Sequence, residues 1–137
     1  RDQPRSRGLG DVYKRQDLIV AHNARFDIDF MIAEYYRRER RFRYKEEFDT
    51  MRYFTPILKL ERANHKGWKF PKLGELCEYF EIYPYDITRK TVELFGDAAG
   101  RHDARYDTVA MYLSFVEGTK KIAELQEIAS KHLQNDK

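Results

Sequence analysis

The stretch DLIVAHNARFDIDFM (17–31) decides the fold class. Residues 17–22 form a short apolar run rich in β-branched side chains, which is typical of a buried strand. Asn23 follows directly and is a good helix N-cap, so a helix is predicted over 24–41. A strand that leads straight into a helix predicts an α/β protein. The predicted apolar face of the helix comprises Phe26, Phe30, Ala33 and Arg37, widened by Ile28, Met31 and Tyr35.

A second strand and helix are predicted further along the chain. EEFDTM (46–51) is strand-like and ends at Asp49 and Thr50, which can cap a helix over MRYFTPILKL (51–60). Pro56 is expected to bend or interrupt that helix because proline lacks a backbone N–H. The order strand, helix, strand, helix agrees with the α/β class.

The second half of the chain is predicted to be helical. Apolar spacing indicates a loop over 64–72, a helix over 73–82, a helix from the N-cap Asp103 to a stop near Gly118, and an amphipathic helix over 119–134. The segment 83–100 is expected to hold one helical turn or two. Cys77 falls on the buried stripe of its helix and is interpreted as a small hydrophobe.

Composition indicates a single soluble domain. The 137 residues are 42% hydrophobic and 15% aromatic, which is enough to build a core, and no stretch approaches a membrane span. A lone cysteine excludes an internal disulfide, and there is no secretory pattern. A cytoplasmic location without membrane contact is therefore expected.

The net charge of +3 comes from the first residues of the chain. Residues 1–16 hold five cations and two anions, so residues 17–137 are neutral by formal charge. Within that segment, DVYKRQ (11–16) is one translation of GATGTGTATAAGAGACAG, which resembles the transposon end used in sequencing-library adaptors. We interpret 1–16 as a non-native segment and 17–137 as a partial domain. The alternative is a basic arm that binds phosphate.

Chemistry-bearing residues are concentrated in HNARFD (22–27) and HDARYD (102–107). Asp27 falls in the first turn of a helix that follows a strand, where α/β sheets place their sites. Asp107 lies one turn into the later helix, and His102 lies in the loop before it. Two carboxylates on different helices and a loop histidine suit hydrolysis assisted by two divalent metals, with Mg²⁺ or Mn²⁺ on the oxygens and imidazole as base. The chemistry fits phosphodiester cleavage.

These motifs resemble the second and third motifs of the histidine-type DEDD exonucleases, a family that includes the proofreading subunit of bacterial DNA polymerase III, RNase T and oligoribonuclease. HNARFD is followed by Phe30, and HDARYD fits His-x-Ala-x-x-Asp. The resemblance covers about residues 17–117. It implies a ribonuclease H-like fold and 3′-to-5′ hydrolysis of DNA or RNA with two metal ions.

The resemblance also implies roles for single residues. Asp27 and Asp107 match metal ligands, and His102 matches the general base that activates water. Asn23 and Phe26 match positions that shape the site and pack beside the substrate. The implied partners are the 3′ ends of single-stranded DNA or RNA and a DNA polymerase.

The first motif of that family, Asp-x-Glu, occurs nowhere in the 137 residues. Two of the four metal-binding carboxylates are therefore missing, and we predict that the chain as written is inactive. We also expect a truncated ribonuclease H-like fold that lacks the N-terminal antiparallel strands and leaves a sheet edge exposed. The alternative function is a non-catalytic nucleic-acid-binding or polymerase-associated domain of the same fold.

Three further features have alternative interpretations. YYRRERRFRYKEE (35–47) carries six cations interleaved with aromatics, which could follow a phosphate backbone. Acids such as Glu34 and Glu39 near Arg38 and Arg43 favour instead a solvated, ion-paired helix face, and we adopt that interpretation. A structural role at the strand end is predicted for His22. Asp29 is predicted to be a solvated carboxylate.

Overall fold

A computed structural model describes residues 18–97, 100 and 103–134, with the backbone alone at 133 and 134. The elements in these ranges are β1 (Leu18–Ala21), α1 (Ala24–Arg37), β2 (Glu46–Asp49), α2 (Thr50–Leu58), α3 (Leu73–Tyr79), α4 (Pro84–Phe95), α5 (Ala104–Lys121) and α6 (Ala123–Gln134). The mixed α/β class is thus confirmed. The segment interpreted as non-native, 1–16, lies outside the described residues.

β1 and β2 pair in parallel, with Leu18 opposite Glu46 and Ala21 opposite Asp49. The connection between them runs through α1, as a parallel pair requires. Side chains of β1 alternate between the two faces of the pair, so Leu18 and Val20 pack into one apolar cluster and Ile19 and Ala21 into another. Helices consequently cover both faces. Over the described ranges, every helix is too short or too polar to traverse a bilayer.

The larger cluster lies between β2 and the helices α2 to α6. Phe54 and Leu76 are fully buried in it, and the Phe54 ring meets that of Phe80 edge-on at 5.4 Å between centroids. The buried stripe predicted for residues 73–82 is confirmed, because Leu76, Cys77 and Phe80 all point inward. This cluster supplies most of the apolar burial and therefore most of the stabilisation.

Cys77 is buried, as predicted for a small hydrophobe. Its Sγ lies 3.9 Å from the carbonyl oxygen of Ala110 and 3.6 Å from Oγ of Ser114. Burial raises the pKa of the Cys77 thiol above its ordinary value. The thiol is consequently kept in its unreactive protonated form.

The smaller cluster holds α1 by one side of the predicted face, the side that includes Ile28. Ala24 and Ile28 are buried and pack with Ile19 and Tyr44. The hydrogen bond from the Ala24 N–H to Asp49 fixes the start of the helix, so the stripe that begins at Ala24 faces inward. The other residues predicted to form the centre of the apolar face are exposed: Phe26 (67%), Phe30 (56%), Ala33 and Arg37. Met31 and Tyr35, which were predicted to widen that face, are half-buried.

The predicted helix over 24–41 ends early, at Arg37. The backbone reverses there, because the Tyr35 carbonyl accepts from the N–H groups of both Arg38 and Arg40, at 3.0 and 2.8 Å. A longer helix would stack arginines three and four residues apart, which is unfavourable for like charges. The ion-paired helix face that we predicted for 35–47 is therefore wrong beyond Arg37, although the Glu34–Arg37 pair at its start is present.

Two other helices also differ from expectation. α2 continues through Pro56 and ends two residues later at Leu58, so the proline does not interrupt it. α4 spans twelve residues rather than one or two turns. Its start is stabilised by Asp86, whose carboxylate accepts from the Tyr83 N–H at 2.9 Å, and it ends at Gly96 with φ of 78°. Both ends are typical helix boundaries, which the periodicity of the side chains alone did not reveal.

Gly118 does not stop a helix, contrary to prediction, because α5 continues to Lys121. A Cβ at this position would lie 2.6 Å from Cδ2 of Leu125 and 3.2 Å from Cζ of Phe54. The absence of a side chain therefore lets α5 lie directly against α6. Gly118 is a packing residue rather than a helix cap.

Replacing Gly118 with alanine is expected to destabilise the protein by about 1–2 kcal/mol, because overpacking of the helix contact outweighs the better helix propensity of alanine. Urea unfolding followed by circular dichroism measures the change. Gly74→Ala is the matched control, since nothing lies within 4 Å of a Cβ at that helical position, and it should be neutral or stabilising. A Gly118→Ala variant as stable as the parent would contradict the packing role.

Candidate functional site

The candidate site lies where β1 and β2 end side by side. β1 ends at Ala21 and leads through His22 and Asn23 into α1, while β2 ends at Asp49. Because the strands are parallel, these residues lie at the same carboxyl edge of the pair. Asp27, in the first turn of α1, lies beside them.

The Asp49 carboxylate is the centre of this edge. It accepts from the N–H groups of Asn23 and Ala24 at 3.0 and 3.1 Å, at the start of α1. It also accepts from Met51 and Arg52 at 2.9 and 3.3 Å, at the start of α2. One carboxylate thus satisfies donors that two helix N-termini would otherwise leave unpaired. The cap that Asp49 was predicted to provide for α2 is confirmed. Asp49 also caps α1, which was not predicted.

Asn23 occupies the N-cap position of α1, but its side chain makes no capping bond. Its backbone is left-handed, with φ of 72° and ψ of 60°, a conformation that asparagine tolerates better than most residues. The prediction that the Asn23 side chain caps the helix is therefore wrong. Asp49 fills that role because it reaches across from the neighbouring strand.

His22 links the strand edge to the loop before α3. Its Nε2 lies 2.8 Å from the Pro71 carbonyl oxygen, which can only accept, so Nε2 carries a proton. Its Nδ1 lies 2.9 Å from Oγ1 of the buried Thr50, and that hydroxyl lies 3.2 Å from the Ala21 carbonyl oxygen. Burial lowers the pKa of His22 below 6.5, against the opposing hydrogen bond to Pro71. The structural role predicted for His22 is confirmed.

Asp27 experiences the charge of Asp49. Partial burial raises the pKa of the Asp27 carboxyl, the negative charge of Asp49 raises it further, and His22 opposes the shift. The side chain remains exposed at the edge, together with those of Asn23 and Phe26. These side chains are therefore accessible to a ligand. Asp29, the predicted solvated carboxylate on another face of α1, is also exposed.

The second predicted motif lies at the start of α5. Asp103 caps this helix as predicted, accepting from the Arg105 N–H at 2.9 Å while pairing with the Arg105 guanidinium at 3.1 Å. Asp107 is half-buried in the first turn. No bond or electrostatic interaction joins Asp107 to Asp27 within the described ranges. His102, the predicted base, lies outside the described residues.

The donors that the structure describes do not complete a divalent-metal site. Carboxylate oxygens are the right ligand type for Mg²⁺ or Mn²⁺, but both oxygens of Asp49 already accept backbone N–H bonds. Among residues 18–97, 100 and 103–134, no group of three histidine, cysteine, aspartate or glutamate side chains is arranged to hold a metal ion. Asp27 and Asp107 would supply only part of a ligand set.

Comparison with known proteins adds no relative. No family model, no curated protein and no solved structure matches this chain. The assignment of function therefore depends on the motifs and on the geometry of the strand edge.

Two features of this edge were missed by sequence reasoning. One is the cap that Asp49 provides for α1, and the other is the bond from His22 to Pro71. The sequence does show an acidic residue at the end of β2, which is a signal for a cap. Whether that residue caps α1 depends on which strands pair, and the sequence does not show this. The second joins positions 49 residues apart and had no local signal.

Replacing Asp49 with asparagine should lower the pKa of Asp27 toward its ordinary value, because the substitution removes a neighbouring negative charge. Carbon-detected NMR titration of the Asp27 carboxyl measures this directly. The variant should also lose about 1–2 kcal/mol of stability with part of the caps. Asp29→Asn is the control and should leave the Asp27 titration unchanged. An Asp27 pKa that stays the same in Asp49→Asn would contradict the coupling.

Stability should fall as the pH drops below 6.5, because the pKa of His22 is lower in the folded protein than in the unfolded chain. As the pH falls, His22 of the unfolded chain binds a proton before His22 of the folded protein does. The stability that neutral His22 contributes is therefore complete above pH 6.5 and is lost as the pH falls to the lower pKa of the folded protein. Urea midpoints at about pH 7.5 and 5.5 measure the change. His22→Gln should reduce the pH dependence and the exposed His65→Gln should not. Equal pH dependence in His22→Gln and the parent would contradict this.

Proposed function

We propose that this chain carries the second- and third-motif part of a metal-dependent 3′-to-5′ exonuclease with a ribonuclease H-like fold. The substrate class is the 3′ end of single-stranded DNA or RNA, and a DNA polymerase is the proposed protein partner. The observation that carries the proposal is the placement of Asp27, exposed beside Asn23 and Phe26 at the carboxyl edge of a parallel strand pair. That edge is where α/β proteins commonly bind ligands.

The electrostatics at this edge support a cation ligand. Asp27 and Asp49 are close enough for the charge of one to raise the pKa of the other. A cation at Asp27 would favour its ionised form. Asp107, half-buried in the first turn of α5, would supply the second carboxylate of the proposed ligand set. His102 would accept the proton of the attacking water.

The proposed ligand set is incomplete within this chain. The family that the motifs resemble uses four carboxylates, and the 137 residues contain no Asp-x-Glu to supply the other two. The donors that the structure describes likewise fall short of a metal site. We infer that catalysis needs carboxylates that this chain does not contain.

The second candidate is a non-catalytic domain that binds nucleic acid. It is favoured by one specific observation, the absence of Asp-x-Glu from the 137 residues. It shares the substrate class of the first candidate and differs from it in requiring no hydrolysis.

The 137-residue chain is expected to release no nucleotides from single-stranded DNA in Mg²⁺ or Mn²⁺, because the two metals lack half of their carboxylates. A 5′-labelled oligonucleotide resolved on a denaturing gel measures release. Metal-dependent shortening that Asp107→Ala abolishes would contradict the predicted inactivity.

The exonuclease proposal is tested on a protein extended by what its gene encodes ahead of Asp17. The coding sequence ahead of Asp17 in the gene should encode an apolar strand with Asp-x-Glu, and the extended protein should shorten DNA or RNA from the 3′ end. Asp27→Asn should reduce this activity by more than about 100-fold, since a ligand loss exceeds the usual effect of losing a supporting residue. Asp29→Asn is the matched control. An extended protein without Asp-x-Glu or without turnover would favour the non-catalytic candidate.

A further inference from the structure

The connection between α1 and β2 carries a concentrated positive charge. We call residues 38–45, RERRFRYK, the arginine loop. It holds five cations and one anion, whereas the rest of residues 17–137 has four more anions than cations. The positive potential of the domain is therefore concentrated at one loop.

Aromatic side chains anchor this loop on the protein. The Phe42 ring lies edge-on to Tyr35 with 5.1 Å between centroids and contacts the Tyr44 ring at 5.7 Å. Tyr44 packs in turn against the small apolar cluster under α1. Phe42 and Tyr44 are half-buried, whereas Arg41, Arg43 and Lys45 are exposed. The alternation is typical of an extended chain with one face on the protein.

The alternation sets the spacing of the cations. Residues two apart in an extended chain project about 7 Å apart on the same side. This spacing, between Arg41 and Arg43, is comparable to that of successive phosphates in a single strand. Guanidinium groups bind phosphate oxygens in a bidentate manner, which makes arginine the suitable residue for this contact.

The arginines are also available for binding. Within the described part of the chain, Arg38, Arg40, Arg41 and Arg43 form no ion pair. Arg38 and Arg40 line a hollow of about 260 Å³ together with Glu34 and Tyr35. The carboxylate of Glu34 is already paired with Arg37 at 2.5 Å. The hollow thus presents two guanidinium groups beside an aromatic side chain.

We propose that the arginine loop binds the phosphate backbone of single-stranded nucleic acid. Tyr36, 81% exposed at the end of α1, offers a ring on which a base can stack. A membrane surface fits less well, because Phe42 and Tyr44 face the protein and are not free to insert among lipids. The inference rests on the proposed function for its ligand class, but the binding itself requires no hydrolysis.

The loop lies at the opposite end of α1 from Asp27. Asp27 and Arg38 are eleven positions apart along the helix and its end, which corresponds to about 16 Å. A single-stranded nucleic acid bound by the loop would therefore be held at a distance from the carboxyl edge of β1 and β2. The arginine loop is a second contact for the ligand rather than part of the edge around Asp27.

The experiment measures binding of a fluorescent single-stranded oligothymidylate of about 12 nucleotides by anisotropy, in EDTA so that hydrolysis cannot contribute. Arg40→Ala/Arg41→Ala/Arg43→Ala in the full chain should weaken binding by about tenfold or more at low salt. The negative slope of log affinity against log salt should become shallower by about 2, the value for three lost phosphate contacts on a single strand. This binding measurement is independent of the nuclease assay, so an absence of hydrolysis there would not change the affinity measured here.

The matched control removes the same charge elsewhere. Arg1→Ala/Arg5→Ala/Arg7→Ala lowers the net charge equally but leaves the loop intact, so it should change affinity and slope far less. Phe42→Ala keeps every charge and removes the anchor, so it should also weaken binding. Arg41→Glu, a single exposed change, provides the same test if the triple loop variant fails to fold by circular dichroism.

Two results would overturn the proposal. The first is an equal loss of affinity in the loop variant and in the N-terminal control, which would assign binding to net charge. The second is a loop variant that keeps oligonucleotide binding but loses binding to phosphatidylserine vesicles, which would assign the loop to membranes.

Discussion

The Asp49 carboxylate is the interaction on which the carboxyl edge of this protein depends. It receives N–H groups from the starts of two helices, one of which follows its own strand and one the neighbouring strand. Both helix dipoles place partial positive charge at this anion. The same contact fixes which stripe of α1 faces inward. The strand register, the rotation of α1 and the exposure of Asp27 are consequently set together.

His22 and Thr50 extend this arrangement toward the helical layer. Thr50 is fully buried directly after Asp49, and its hydroxyl contacts the imidazole that holds the Pro71 carbonyl. The order of the segment before α3 therefore depends on a ring at the end of β1. His22, Thr50 and the Pro71 carbonyl, from three separate stretches of sequence, thus form one continuous series of hydrogen bonds beside the exposed Asp27.

The sequence predicts the class of the fold and most of its elements, because local pattern determines them. The strand at 18–21, the stripe of Leu76 and Cys77, and the cap at Asp103 are each confirmed. The face of α1 could not be predicted from periodicity, since apolar residues lie on two sides and a distant carboxylate selects between them. The role of Gly118 depends on the approach of Leu125 from another helix. At the candidate site the sequence predicts that Asp27 lies at the end of a strand, where the structure places it, but not the influence of Asp49 on Asp27.

The burial of Cys77 gives this protein a built-in reporter of its own motions. The single thiol of the chain lies among α3 and α5, beside Ala110 and Ser114. A thiol reagent can reach it only when those helices separate, so the rate of labelling counts opening events in the native state. Neighbouring loops can move without exposing the thiol. The labelling rate therefore distinguishes opening of the helical core from fluctuations at the strand edge.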